Sequence, residues 1–339
     1  MKIAVDAMGG DFAPDEIVLG AIEAAREYQC NIILVGDQVR IQQLLDLHNA
    51  NDLRLSIHHA SEVIGMTENP TSAFRKKKDA SVVVATRLVK EGKADVAISA
   101  GSTGAAVAAA LLGLGRISGV ERPTIATPMP NLTGITVLLD SGANVDSKPK
   151  NLLQNAIMGT VYAEKILGIT NPRVGLLNIG EEANKGNELV LETYPLLASA
   201  PVNFIGNVEG RDIPKGTVDV VVCDGFVGNV VLKFGEGLAS AIMTLIKQEI
   251  EAQGWLTKLA AALVLPALRS LKRKLDYAEY GGAPLLGVDG GFIISHGSSK
   301  AKAIKNSIRV ARDMVDKSVV ENIKQSLLKD GEITNGEVR

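Results

Sequence analysis

The sequence predicts an α/β protein of three-layer α/β/α architecture around a mostly parallel sheet. Three observations predict it. Short β-branched runs alternate with longer helical patterns through nearly the whole chain. Hydrophobic residues make up 46% of the sequence but aromatic residues only 4%, so the core is aliphatic. Several apolar runs also end in Gly-rich or polar turns that open directly into helices, the layout of parallel strands joined by helical crossovers.

In chain order, a strand over Ile3 to Ala7 precedes a helix over Glu16 to Tyr28, and Ile32 to Val35 adds a second strand. Asp95 to Ser99 leads to a helix over Ala105 to Leu114, and Val137 to Asp140 to one over Leu152 to Leu167. Val174 to Ile179 precedes a helix over Glu188 to Leu197, and Val218 to Cys223 runs into a long helix ending near Ala252. Residues Gly254 to Tyr277 break the pattern. They read as an inserted hairpin of two short helices separated at Pro266, which lacks an N–H and crowds the preceding turn. Phe292 to Ser295 then forms a strand, and a final helix spans Lys300 to Leu328. With no repeat and no Ser/Gly linker, residues 1–339 read as a single α/β unit, long enough for two lobes about a cleft.

Lys plus Arg total 36 against 38 Asp plus Glu, and a net charge of -2 gives no overall field for nucleic acid. Cys30 and Cys223 each lie within a β-like apolar run, and no secretory pattern precedes the first strand. The cytoplasm is the expected location, with peripheral attachment to the inner face of the cell membrane left open. The longest uninterrupted apolar stretches, Gly104 to Gly115 and Leu259 to Leu268, fall short of the roughly 20 residues that cross a bilayer.

Three strand-to-helix turns stand out: Ser99 to Gly104, Asp224 to Asn229, and His296 to Ser299. In a parallel sheet they share the carboxyl edge, where ligands settle. Each offers backbone N–H groups and the positive end of a helix dipole, which favour phosphate. The candidate phosphate-binding residues are therefore Ser102, Thr103, Gly104, Asp224, Gly225, Gly228 and Ser298. A glycine after a strand is also what any tight turn requires, so the case rests on the turns occurring together.

A fourth turn, Asn178 to Glu188, carries Lys185, which reads either as a cation for phosphate or a developing oxyanion, or as a solvated loop lysine. Asp6 and Asp11 flank Met8-Gly9-Gly10, and Asp140 and Asp146 flank Ser141 to Asn144. Asp6 and Asp140 are expected to orient a lysine or a histidine. No spacing matches a zinc or calcium loop, so neither metal nor cofactor is expected. His296 alone among the four histidines sits at a strand end beside Gly and Ser. It suits protonation of a leaving thiolate or recognition of phosphate, and a capping or core histidine is the other reading. Lys185, Asn229 and His296 form the candidate catalytic set. Cys223 reads as a small core residue, because no His or Lys in its own segment would activate it.

Together with Met1 to Asp11 and Tyr280-Gly281-Gly282-Ala283, these segments closely resemble the bacterial phosphate acyltransferase family over essentially the whole chain and in the same order. The most specific pieces are Asp6-Ala7-Met8-Gly9-Gly10-Asp11, Leu139 to Asn144, Asn187-Glu188-Leu189 and Asp224-Gly225-Phe226. The resemblance implies a fold similar to the isocitrate and isopropylmalate dehydrogenases and to phosphotransacetylase, and a homodimer. It also implies transfer of a fatty-acyl group from acyl carrier protein to inorganic phosphate. The resulting acyl phosphate would feed a membrane glycerol-phosphate acyltransferase of phospholipid synthesis. The residues agree independently: phosphate is its own nucleophile, so the protein must position it, stabilise an oxyanion and help a thiolate leave.

Two rivals are weighed against this. A nicotinamide dehydrogenase would need a G-x-G-x-x-G turn opening a helix, which Met8-Gly9-Gly10-Asp11 is not. A non-catalytic phosphate or carrier-binding protein stays open on sequence alone. In the hairpin, Trp255, Leu256, Leu259 and Leu263 recur at helical spacing, as do Leu268, Leu271 and Leu275 beside Arg269, Lys272, Arg273 and Lys274. That pattern fits a helix lying in an anionic membrane interface, and equally a dimer or packing hairpin. The Arg269 cluster and Arg75-Lys76-Lys77-Lys78 are candidate docking sites for an acidic carrier protein, or solvated faces.

Overall fold

The computed structural model describes residues 1–336, with the side chains of 255–262, 277 and 329–336 outside the description. The strands are β1 (Lys2–Asp6), β2 (Asn31–Gly36), β3 (Leu55–His59), β4 (Val96–Ser99), β5 (Thr124–Ile125), β6 (Thr127–Pro130), β7 (Ile135–Leu139), β8 (Arg173–Asn178), β9 (Asn203–Glu209), β10 (Val220–Val222), β11 (Ala283–Leu286) and β12 (Gly291–Ile294). They form two sheets, one in the order β3-β2-β1-β4-β12-β11-β5 and one in the order β6-β7-β10-β8-β9. The mostly parallel character holds in both. Antiparallel pairing among the described residues is confined to β11 with β12, β11 with β5 and β6 with β7.

Aliphatic strands buried on both faces need a helix layer on each side. One large cluster fills the space where the Asp15–Tyr28, Pro149–Tyr162 and Ala301–Asp316 helices cover both sheets, joining Ile3 and Ile98 of the first to Val137 and Val174 of the second. A second cluster lies under the Ser81–Lys90 and Thr103–Gly113 helices, and a third lies on the outer side of the second sheet. The result is three layers with a continuous core. Only Ala126 separates β5 in one sheet from β6 in the other.

Three expectations change. Pro266 does not end a helix: a single helix, Trp255–Leu275, runs through it and forms the hairpin with the Gly225–Ala252 helix. Proline removes one N–H and strains one turn, but the surrounding Leu, Ala, Arg and Lys residues are strong helix formers that carry the helix past it. The last helix is two, Ala301–Asp316 and Val319–Gly336, separated where Ser318 takes a left-handed conformation at φ 49°. Lastly, the Gly225–Ala252 helix, at 28 residues, is long and apolar enough by length and composition to cross a bilayer, although no single uninterrupted apolar run is. Its first turn is locked into the second sheet's edge, where Gly225 and Gly228 are buried.

Candidate active site

The turns named from sequence do not share one sheet: those after Ser99 and before Ser299 leave the adjacent parallel strands β4 and β12 of the first, and the Asp224 turn leaves β10 of the second. In the first sheet, β4 and β12 pair in register up to Ser99 and Ile294, and the Ser295 N–H continues the ladder by donating to the Ser99 carbonyl at 2.9 Å. The loop after β1 folds across both exits. Asp11 donates its N–H to the Gly297 carbonyl at 2.8 Å. Gly10, at φ 116°, sits between the Ala100 and Gly297 carbonyls, where a side chain would contact both. Asp6 is buried and accepts from the Ser99 hydroxyl at 2.7 Å and the Met8 N–H at 3.2 Å. Burial pushes its carboxyl above the usual range, against the pull of those hydrogen bonds.

The second sheet contributes the turn after β7. Asp140 is fully buried, and its two oxygens accept the N–H groups of Gly142, Ala143 and Asn144, the Asn144 side-chain amide, and the N–H of Ile125 in β5. It therefore stitches the second sheet's turn to an edge strand of the first. Burial raises its carboxyl, opposed by these donors. Among the described residues neither Asp6 nor Asp140 hydrogen-bonds or ion-pairs with a lysine or histidine, so the expected orienting role is corrected. Each holds a turn instead, because a buried carboxylate is satisfied most cheaply by backbone N–H groups of its own loop.

The turns differ in how many N–H groups they leave open. At the start of the Gly225–Ala252 helix, Gly225 donates to the Asn144 carbonyl, Val227 to the Asp224 carboxylate and Gly228 to the Asp224 carbonyl. Three of that helix end's N–H groups are thus engaged, and its close approach to the Asp140 carbonyl leaves no room for a side chain at Gly228. Asp224, Gly225 and Gly228 thus form a wall and not an open cradle. The Asn229 amide is likewise used, donating to the Ser141 carbonyl at 3.0 Å. By contrast, the Thr103–Gly113 helix has Ser102 at its N-cap position with no side-chain cap bond, and Thr103 and Gly104 are exposed. Here the orphan N–H groups of a helix start face the open edge.

His296 lies between two polar groups. Its Nδ1 is 2.7 Å from the Ser298 hydroxyl, and its Nε2 is 3.3 Å from the Lys233 ammonium. Lys233 also pairs with Glu236 at 2.9 Å. Sequence reasoning missed Lys233, which stands one turn beyond Asn229 on the same helix. The signal was that i, i+4 spacing; its histidine partner, 63 residues away, was not legible. The contact joins the two sheets' turns across one cleft.

Lys185 stands apart. It is exposed on the 178–187 loop, forms no ion pair among the described residues, and contacts none of the groups around His296. That loop closes a cavity of about 420 Å³ lined mainly by Leu152, Leu176, Leu189, Val190 and Val227, with Cys223 and Asp224 at its edge. Cys223 is buried, and burial, with the Asp224 and Asp140 carboxylates nearby, pushes its thiol well above the ordinary range. The core reading of Cys223 fits this. Glu181, Glu209 and Asp212 bring carboxylate oxygens together elsewhere, where Arg211 and Lys215 compensate them.

Of the hairpin residues, Leu263 is 85% exposed, Arg269 and Lys272 are exposed and Leu268 is half-buried, while Leu259 lies outside the described side chains. In the other basic run, Lys77 is bound to Glu68 at 2.6 Å and to the Val63 carbonyl, so it holds a loop.

Comparison with known proteins agrees with the family resemblance. A family model described as fatty acid synthesis protein matches residues 1–322. Phosphate acyltransferase of Heliobacterium modesticaldum is 62% identical over 328 residues, covering 96% of this chain and 98% of that one. Phosphate acyltransferase of Pelotomaculum thermopropionicum is 59% identical, covering 96% and 95%. Among solved structures, a phosphotransacetylase from Streptococcus pyogenes superposes with a TM-score of 0.62 at 17% identity, covering 96% and 94%. A branched-chain phosphotransacylase from Enterococcus faecalis gives 0.59 at 16% identity, covering 93% and 99%. These two likenesses establish the shared α/β/α fold. On the full-length matches to its relatives, the chain belongs to the phosphate acyltransferase family and is an acyltransferase.

Proposed function

We propose that this enzyme takes a fatty-acyl group from an acyl-carrier-protein thioester and gives it to inorganic phosphate, releasing acyl phosphate for phosphatidic acid and phospholipid synthesis. The observation that carries the reading is the uncapped start of the Thr103–Gly113 helix on the same edge as His296 and Lys233. Phosphate held at Ser102, Thr103 and Gly104 attacks the thioester carbonyl. A C–O bond forms, the C–S bond breaks and the leaving sulfur takes a proton.

His296, steadied by Ser298, supplies that proton, and Lys233 stabilises the oxyanion. Lys185, unpaired on its loop, is a second cation within reach of an anionic donor. The Asp224 to Asn229 segment walls the cleft, and Asp6 and Asp140 keep the turns in place.

The remaining assignments follow from surfaces. Two chains pair as a homodimer through Phe234, Leu238, Ile242 and Leu245, a stripe left exposed along the Gly225–Ala252 helix. An acidic carrier protein docks by charge on Arg75, Lys76 and Lys78 or on the Arg269 cluster. Leu259, Leu263, Leu268, Arg269 and Lys272 rest the cytoplasmic protein on the inner face of the cell membrane, where a glycerol-phosphate acyltransferase consumes the product. The test is incubation with palmitoyl-carrier protein and radiolabelled phosphate. One thiol released per labelled, organic-soluble phosphate is expected; thiol release that ignores phosphate, or none, overturns the reading.

A further inference from the structure

The Gly225–Ala252 helix carries two apolar stripes. One, through Phe234, Leu238, Ile242 and Leu245, points to solvent. The other, turned by about 100°, passes through Ala239, Met243, Ile246 and Ile250 and faces Leu265 and Leu268 of the Trp255–Leu275 helix across a groove of about 880 Å³. That volume falls in the roughly 300–1,000 Å³ range of sites that bury small ligands. The groove does not end blindly. His296 lines one end, near Glu236 and Asp276, so the groove opens onto the histidine of the candidate active site.

We propose that this groove holds the hydrocarbon chain of the acyl donor, with the reacting carbonyl at His296 and the terminal methyl near Ile250. The assignment rests on the fatty-acyl transfer reading and names the place where that chain is recognised. Length supports it: from Glu236 to Ile250 the helix advances roughly 21 Å at about 1.5 Å per residue. An extended palmitoyl chain, with carbon–carbon bonds of about 1.5 Å in a zigzag, spans roughly 19 Å. Chemistry supports it too, since the floor is aliphatic while charged side chains such as Lys247 and Arg269 stand on the rim, where water stays accessible. Each methylene seated there is removed from water, so longer chains bind better until the groove is full.

Tryptophan placed along the groove acts as a stop. Phosphate-dependent turnover of butyryl, octanoyl, lauroyl and palmitoyl donors is measured for wild type, Ala239→Trp and Ile250→Trp. Ile250→Trp is expected to lower kcat/KM for palmitoyl relative to octanoyl by about tenfold or more, equivalent to about 1.4 kcal/mol. Ala239→Trp, close to His296, is expected to move the break to between butyryl and octanoyl. If both variants keep the wild-type chain-length profile, or lower all four donors by one common factor, the groove is not the chain site. Wild type failing to turn over any donor on addition of phosphate would sink the acyl-transfer reading instead. A titration with cis-parinaric acid, a fluorescent fatty acid, reads the groove without turnover. Saturable binding to wild type, weakened about tenfold in Ala239→Trp, is expected, and equal affinity in both overturns the proposal.

Discussion

The Lys233 ammonium lies 3.3 Å from His296 Nε2, so a helix that begins at the second sheet delivers a cation to the turn that ends a strand of the first. Neither sheet alone builds this pair.

His296→Ala and Lys233→Met are each expected to lower kcat by about 10²–10³, the usual cost of one contact to a developing charge. Folding should be intact by circular dichroism, since both side chains are exposed enough to be lost without a cavity. Lys185→Ala should cost less than Lys233→Met, because Lys185 is outside this cluster. Steady-state kinetics of the three variants decide it, and a reversed order would move the oxyanion role to Lys185.

The proposed direct attack by phosphate gives Cys223 no chemical task. A buried thiol whose ionisation is pushed well upward is a poor nucleophile. Cys223→Ala should keep wild-type kcat, and mass spectrometry of the working enzyme should find no acyl adduct. A stable adduct on Cys223 would refute direct attack.

Gly228→Ala should destabilise and inactivate together. A Cβ there would overlap the Asp140 carbonyl oxygen, and backbone cannot yield as a side chain can. A loss of roughly 1–3 kcal/mol is expected, read as a lowered Tm with reduced turnover. An unchanged Tm would show that the two loops are not so closely packed.

The Arg173–Asp219 pair ties β8 to β10 with bonds of 2.9 Å from Nε and 2.9 Å from Nη2. Burial pushes Asp219 up, but the Arg173 bonds together outweigh it and leave the carboxyl below its usual value. The unfolded chain therefore binds the proton more readily, so this stability is present above about pH 4, the unfolded value. It is lost as pH falls through the lower folded value. Since Arg173 is 42% exposed, the pair is worth only about 1 kcal/mol. Asp219→Asn should lower the urea midpoint at neutral pH and lose part of the wild-type acid sensitivity; equal midpoints at neutral pH would show that the pair contributes nothing.

Membrane attachment by the hairpin is tested by flotation with anionic vesicles. Wild type should float, and Leu259→Glu with Leu268→Glu should stay in the soluble fraction with its fold intact. Equal flotation of both would exclude the hairpin as the anchor.

The alternation of strands and helices and most of the site turns were legible, because each depends on local features: β-branched runs, then Gly or Asp, then a helix start. Which turns remained open was not. Asp224 reads in sequence as part of an anion site, yet in the fold its carboxylate takes an N–H group that would bind one. Lys233 was invisible for the complementary reason, that its meaning lies in a partner supplied by a strand 63 residues on. Pro266 misled because propensity is a local cost, and one broken hydrogen bond did not outweigh a strong helical context.

The chain's route through the two sheets has a consequence for the order of synthesis. The second sheet uses one continuous stretch, from Thr127 to Val222, so all five of its strands can pair as soon as they leave the ribosome. The first sheet cannot finish so early. β4 waits with one edge bare until β12 arrives after nearly two hundred further residues. During that interval the nascent protein carries an aliphatic strand, Val96–Ser99, paired with β1 on one side only, and its bare edge is open to the wrong partner or to a chaperone. Only when Ile294 settles beside Ser99 does His296 reach Lys233, so the contact that joins the two sheets is among the later ones the growing chain can make.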